Sequence, residues 1–140
     1  MTKKILVVDD DEEILEAIQI ALEMEGYAVK TSVNGDCFQH LNGDVPDLIL
    51  LDILLTGEDG RDLCQQLKRR EDTRHIPVIL CSAHFSGDLI TYLSGASTFL
   101  PKPFEVDELL ATIARYITPT QAIASSPANT AALSEAAREE

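Results

Sequence analysis

The sequence predicts an α/β domain, a doubly wound five-stranded parallel sheet with helices on both faces. Three observations predict it. Short apolar runs with little polar alternation recur along the chain, as expected for strands covered on both sides. Between them lie segments whose apolar residues fall at helical spacing. Polar residues able to do chemistry directly follow several of the apolar runs.

The elements follow in order. Residues 5–8, Ile-Leu-Val-Val, form the first strand. The next segment carries Ile14, Ile18, Ala21 and Leu22 on one stripe, shows Glu12, Glu16 and Glu23 on the other face, and ends near Gly26 as a helix C-terminus should. Residues 28–32 make a shorter second strand, Asn34-Gly35 a turn, and residues 36–41 a weak helix. Leu48-Ile-Leu-Leu51 is the third strand, and the helix of residues 61–70 packs through Leu63, Cys64 and Leu67. Residues 77–81 form the fourth strand, 88–93 a short helix and 98–100 the fifth strand. The last helix is the clearest amphipath, with Val106, Leu109, Leu110, Ile113 and Ile117 on one face.

The chain has 140 residues, enough for one domain that buries roughly two-thirds of its unfolded surface without metal or disulfide staples. Residues 1–118 are assigned to that domain. From residue 119 to 140 the composition turns to Ala, Ser, Thr and Pro, which reads as a linker or disordered tail. With 24 acidic and 11 basic side chains the formal net charge is −13, which disfavours direct binding to nucleic acid or an anionic membrane and suits cations or a basic protein face. Apolar runs are far shorter than the ~20 residues of a membrane helix, and Asp9 interrupts any signal-peptide core after Lys3 and Lys4, so a cytoplasmic protein is expected. Cys37, Cys64 and Cys81 form no Cys-x-x-Cys pair and read as reduced and buried, without metal or redox roles.

In open α/β sheets ligands bind beyond the carboxyl ends of the strands, where strand order reverses. The residues there are Asp9, Asp52, Ser82 and Lys102. A flavodoxin-like order 2-1-3-4-5 sets the first strand beside the third and brings Asp9 and Asp52 about 5 Å apart, with Ser82 and Lys102 further along the edge. Carboxylates so close repel unless a cation joins them. Mg²⁺ suits Asp9, Asp10 and Asp52, since it takes oxygen ligands, keeps waters and commonly holds a phosphate as well. Lys102 then balances the remaining charge. A carboxylate in such a site can itself be the nucleophile that forms an acyl phosphate. Asp11, by contrast, reads as a helix cap. Ser82 or Lys102 alone would be an ordinary turn or loop residue, and the functional reading comes from the four strand ends taken together.

Four segments, Ile5-Leu-Val-Val-Asp-Asp-Asp11, Pro46-Asp-Leu-Ile-Leu-Leu-Asp52, Val78-Ile-Leu-Cys-Ser-Ala83 and Leu100-Pro-Lys-Pro-Phe104, give the chain a resemblance to the response regulator receiver domain of two-component signalling over about residues 3–117. The resemblance implies that Asp52 is the phosphoacceptor, that Asp9 and Asp10 hold Mg²⁺ directly or through water, and that the backbone carbonyl of Leu54 completes the metal site. Ser82 and Lys102 would bind the phosphoryl oxygens. The phosphoryl donor would be a histidine kinase or phosphotransfer protein. The implied switch couples Ser82 to Phe99 and remodels the face of the fourth helix, fifth strand and fifth helix, through which a downstream protein, an output domain or a second copy would be contacted. Phe99 lacks a hydroxyl, and its other reading is core filling. The peptide matching Lys102-Pro103 is cis in the family. Such a protein is a phosphoacceptor that assists its own phosphorylation and dephosphorylation, and is not counted as an enzyme.

Departures from the family pattern fall in the loop after Asp52, where Thr56 replaces a proline and Glu58 an apolar residue; a looser loop is expected. Ser97 stands where an acid is common, with only a local effect expected. Leu54 and His84 would flank the path of water to the phosphorylated residue, and an apolar Leu54 predicts slow self-dephosphorylation; His84 also reads as a plain surface residue. Two alternatives use the same residues. Asp9-x-Asp11 matches the start of haloacid-dehalogenase-type phosphatases, with Asp9 as nucleophile, but the acidic pair those enzymes need after the lysine is replaced here by Glu105, Asp107 and Glu108 on the last helix. The other alternative is a binding module that keeps the fold and is never phosphorylated. An FMN-binding flavodoxin lacks support, with no Ser/Thr-rich loop after the first strand and no Trp.

Overall fold

Residues 2–84 and 94–117 are described in the computed structural model. Strand β1 (Lys4–Val8) leads to helix α1 (Glu12–Met24), strand β2 (Ala28–Ser32) and a 3₁₀ helix (Gly35–Gln39). Strand β3 (Leu48–Asp52) follows, then a hairpin of two-residue strands (Leu54–Leu55 and Glu58–Asp59) and helix α2 (Gly60–Arg69). Strands β4 (Val78–Ser82) and β5 (Thr98–Pro101) precede helix α3 (Val106–Ala114). The main sheet runs β2-β1-β3-β4-β5 with every pairing parallel, as the sequence predicts.

Alternation along the strands divides the core into two halves, because successive side chains point to opposite faces. Ile5, Val7, Leu48, Leu50, Ile79 and Cys81 pack against Leu15, Ile18 and Leu22 of α1 and Leu109 and Ile113 of α3. Leu6, Val8, Ile49, Leu51, Val78 and Leu80 pack on the other face against Phe38, Cys64 and Leu67. All five residues of β3 and all five of β4 are buried, which is why these runs show no polar alternation. Each fully buried Leu or Ile contributes about 1.5–3 kcal/mol.

Helix α1 starts at Asp11, whose side chain accepts the amides of Glu13 and Ile14, and Gly26 turns the chain out of the helix at a φ of 102°. Its buried row is Leu15, Ile18 and Leu22, with Ile14 and Ala21 at the margin. The weak helix expected over residues 36–41 is a short 3₁₀ helix instead. Phe38 is its one large buried anchor, and the positive φ of Asn42 (51°) and Gly43 (85°) turns the chain two residues after His40. Cys37 is only half-buried there, a correction to the expectation that all three cysteines are buried; Cys64 and Cys81 are buried. Val106, placed on the apolar stripe of the last helix by spacing, is 52% exposed at its first turn. The helix expected over residues 88–93 and the tail expected from 119 lie outside the described residues. Among those described, no helix is long and apolar enough to cross a membrane.

Candidate functional site

Parallel pairing of β1 with β3 aligns Val8 with Leu51, so the next residues, Asp9 and Asp52, leave adjacent strands at the same edge. Pairing of β4 with β5 aligns Ser82 with Pro101, and Lys102 follows it. The backbone amide of Lys102 donates to the Ser82 carbonyl at 3.0 Å. The sheet register thus delivers the four strand-end residues to one place. The peptide bond between Lys102 and Pro103 is cis.

Asp9 is 3% exposed and has both carboxylate oxygens engaged. Its Oδ1 accepts the Asp11 amide at 2.9 Å and its Oδ2 accepts the Lys102 ammonium at 2.7 Å. The same ammonium stands 3.3 Å from Oδ1 of Asp52. Asp52 is 6% exposed. Burial pushes its carboxyl up to about 6, Lys102 opposes the rise, and the negative charges of Asp9 and Asp10 add to it. For Lys102 the order of effects reverses: burial pulls the ammonium down, but the Asp9 hydrogen bond and the neighbouring Cys81, Asp9 and Asp52 groups outweigh it and hold it above its ordinary value.

One carboxylate oxygen from each of Asp9, Asp10 and Asp52 lies within 4.8 Å of the other two. Three hard oxygen donors, two of them buried and one facing solvent, fit a Mg²⁺ ion that retains waters. The Lys102 ammonium lies within 3.3 Å of two of the three.

Ser82 is 2% exposed, and its hydroxyl accepts the backbone amide of His84 at 3.1 Å; His84 itself is exposed. Phe99 is half-buried and packs on the core half that holds Leu51 and Leu80. Leu54 is 45% exposed, on the first strand of the hairpin that follows the acceptor strand.

That hairpin is the part of the site that sequence reasoning missed. Leu55 pairs with Glu58, the Thr56 hydroxyl donates to Oδ2 of Asp10 at 2.8 Å, and Glu58 Oε1 accepts the Gly35 amide at 2.7 Å. Where a looser loop is expected, both residues that break the family pattern hydrogen-bond to segments outside it, Thr56 to Asp10 and Glu58 to Gly35. The available signal was chemical, a hydroxyl and a carboxylate standing where the usual residues offer neither. Gly60 was missed too. Its amide donates to the Ile53 carbonyl at 2.7 Å, and a Cβ at Gly60 would overlap the Asp52 carbonyl oxygen.

This fold and this site define a class, and the family model described as "Response regulator receiver domain" matches residues 5–114. The chain belongs to that family. It is 42% identical over 113 residues to the DNA-binding dual master transcriptional regulator RpaA of Synechocystis, covering 79% of this chain and 47% of that protein. It is 44% identical over 108 residues to the response regulator PleD of Caulobacter vibrioides, covering 75% of this chain and 24% of that protein. The chain thus spans about half or less of the length of these relatives. Among solved structures, a putative response regulator from Chloroflexus aurantiacus superposes with a TM-score of 0.76 at 30% identity, over 83% of this chain and 98% of that one.

Proposed function

We propose that this domain accepts a phosphoryl group on Asp52 from a histidine kinase or phosphotransfer protein, in a Mg²⁺-dependent reaction, and passes the signal to a partner protein or output domain. The observation that carries the reading is the convergence of Asp9, Asp10 and Asp52 with Lys102 standing between Asp9 and Asp52.

In this reading an Asp52 carboxylate oxygen attacks phosphorus, the bond from phosphorus to the donor nitrogen breaks, and an acyl phosphate forms. Bound Mg²⁺ would be held by Asp9, Asp10, Asp52 and the Leu54 carbonyl and would offset negative charge on the incoming group. Lys102 already lies within 3.3 Å of the acceptor, so its ammonium reaches a phosphoryl oxygen by a small swing away from Asp9. The Ser82 hydroxyl, at the end of the next strand, donates to another oxygen. Its movement and that of Phe99 form the switch toward the face of β5 and the last helix, where a partner or a second copy docks.

Asp9 is the poorer nucleophile, because both of its oxygens are already hydrogen-bonded, and Asp11 is committed to capping α1. These contacts weigh against the phosphatase alternative.

The test is loading with acetyl phosphate and Mg²⁺, followed by chemical trapping and peptide mapping. Label on Asp52 that disappears in Asp52→Asn is expected. Label on Asp9 would move the reading to the phosphatase class. No label, with no beryllofluoride-dependent spectral change, would leave a binding module.

A further inference from the structure

Asp10 is the exposed member of the three-carboxylate cluster. Asp9 is fixed by two hydrogen bonds, and Asp52 by the buried strand it ends. Nothing comparable confines Asp10 from within α1 or β1, and the charges of Asp9 and Asp52 favour its swinging away into water.

The Thr56 hydroxyl opposes that swing by donating to Oδ2 of Asp10 at 2.8 Å. Among the described residues no other hydrogen-bond donor meets this carboxylate. Thr56 is presented by a framework anchored independently of Asp10. Leu54 and Leu55 pair with Asp59 and Glu58, Gly57 turns the chain at a φ of 77°, and Glu58 is tied to the Gly35 amide.

We propose that Thr56 is a positioning residue for the cation site: its hydroxyl holds the Asp10 carboxylate turned toward Asp9 and Asp52, so that a divalent ion meets three converged oxygens. The proposal rests on the reading that this cluster binds Mg²⁺. A residue without a donor at position 56 would leave Asp10 to be reoriented at each binding event. Outer partners of metal ligands typically contribute about 10–100-fold in affinity. Asp10 faces solvent, so the lower end of that range applies.

The experiment measures Mg²⁺ affinity by isothermal titration calorimetry and Mn²⁺ affinity by electron paramagnetic resonance on the full chain. Four proteins are compared: wild type, Thr56→Val, Thr56→Ser and Glu58→Ala. Thr56→Val keeps the shape and is expected to bind about tenfold more weakly, with Thr56→Ser restoring affinity to within about twofold of wild type. Glu58→Ala breaks the other tether of the hairpin and is expected to stay within about threefold, which separates a hydroxyl on Asp10 from general loop integrity. Unchanged or tighter binding in Thr56→Val overturns the proposal, as does Thr56→Ser binding as weakly as Thr56→Val, or an equal loss in Glu58→Ala. Wild-type protein that binds neither ion overturns the cation-site reading itself. Wild-type binding with an indifferent Thr56→Val overturns the role of Thr56 alone.

Discussion

Lys102 and Asp9 are hydrogen-bonded at 2.7 Å across 93 residues of sequence, and the link joins the ends of β5 and β1 over the heads of β3 and β4. The lysine thereby occupies the position between two buried carboxylates that would otherwise face each other uncompensated.

Lys102→Ala leaves Asp9 and Asp52 buried without their cation. Removing one partner of a buried ion pair costs about 3–5 kcal/mol, and a loss near about 3 kcal/mol is expected here at pH 7 in metal-free buffer. Urea unfolding measures it. Labelling of Asp52 by acetyl phosphate is expected to fall about a hundredfold, as for loss of a group that stabilises the transferred charge. Unchanged labelling would remove Lys102 from the phosphoryl site.

Asp52 carries a pH signature of its own. Its carboxyl is raised to about 6, so between roughly pH 4 and pH 6 the folded chain retains a proton that the unfolded chain has released. The contribution of Asp52 to the stability of the metal-free protein therefore falls as pH rises through that window and stays lower above it. Asp52→Asn abolishes that fall and is expected to be about 2 kcal/mol more stable than wild type at pH 7, with the difference vanishing near pH 4. Chemical denaturation at the two pH values checks this, and a gain that persists at pH 4 would contradict it.

Gly60 has no room for a side chain. A methyl group there meets the Asp52 carbonyl and the Ile53 backbone, so Gly60→Ala has to shift the acceptor strand's end or the start of α2. Overpacking of this kind costs about 1–3 kcal/mol. Thermal unfolding should show the loss, and Mg²⁺ affinity should drop with it.

Leu54 bears on the lifetime of the phosphorylated state. Its exposed side chain offers no hydrogen bond to a water approaching Asp52. Loss of phosphate after loading is expected to be slow in wild type and faster in Leu54→Asn than in Leu54→Ala. The reverse order would rule out water positioning as the controlling factor.

The parallel sheet was legible in the sequence because β3 and β4 are buried on both faces and their residues record it without ambiguity. Asp9, Asp52, Ser82 and Lys102 were legible for a related reason, since a polar residue ending such a run has one topological destination. The 3₁₀ helix was not, because residues 36–41 contain one strong anchor, Phe38, and a single anchor specifies no period. Thr56, Glu58 and Gly60 were hidden because their partners, Asp10, Gly35 and the Asp52 carbonyl, are set by loop geometry and leave no repeat in the chain.

The two core halves meet at β3, whose four apolar side chains, Leu48 to Leu51, alternate between them, and all five of its residues are buried. Displacing this strand along its axis would disturb the packing on both faces at once, so Asp52 has a stiff mounting. In the proposed reading, a change of charge at the acceptor is felt first by the side chains that meet it, the Lys102 ammonium 3.3 Å away among them. The strand proposed to receive the phosphoryl group would then act as the fixed end of a lever, with the signal leaving through what moves against it.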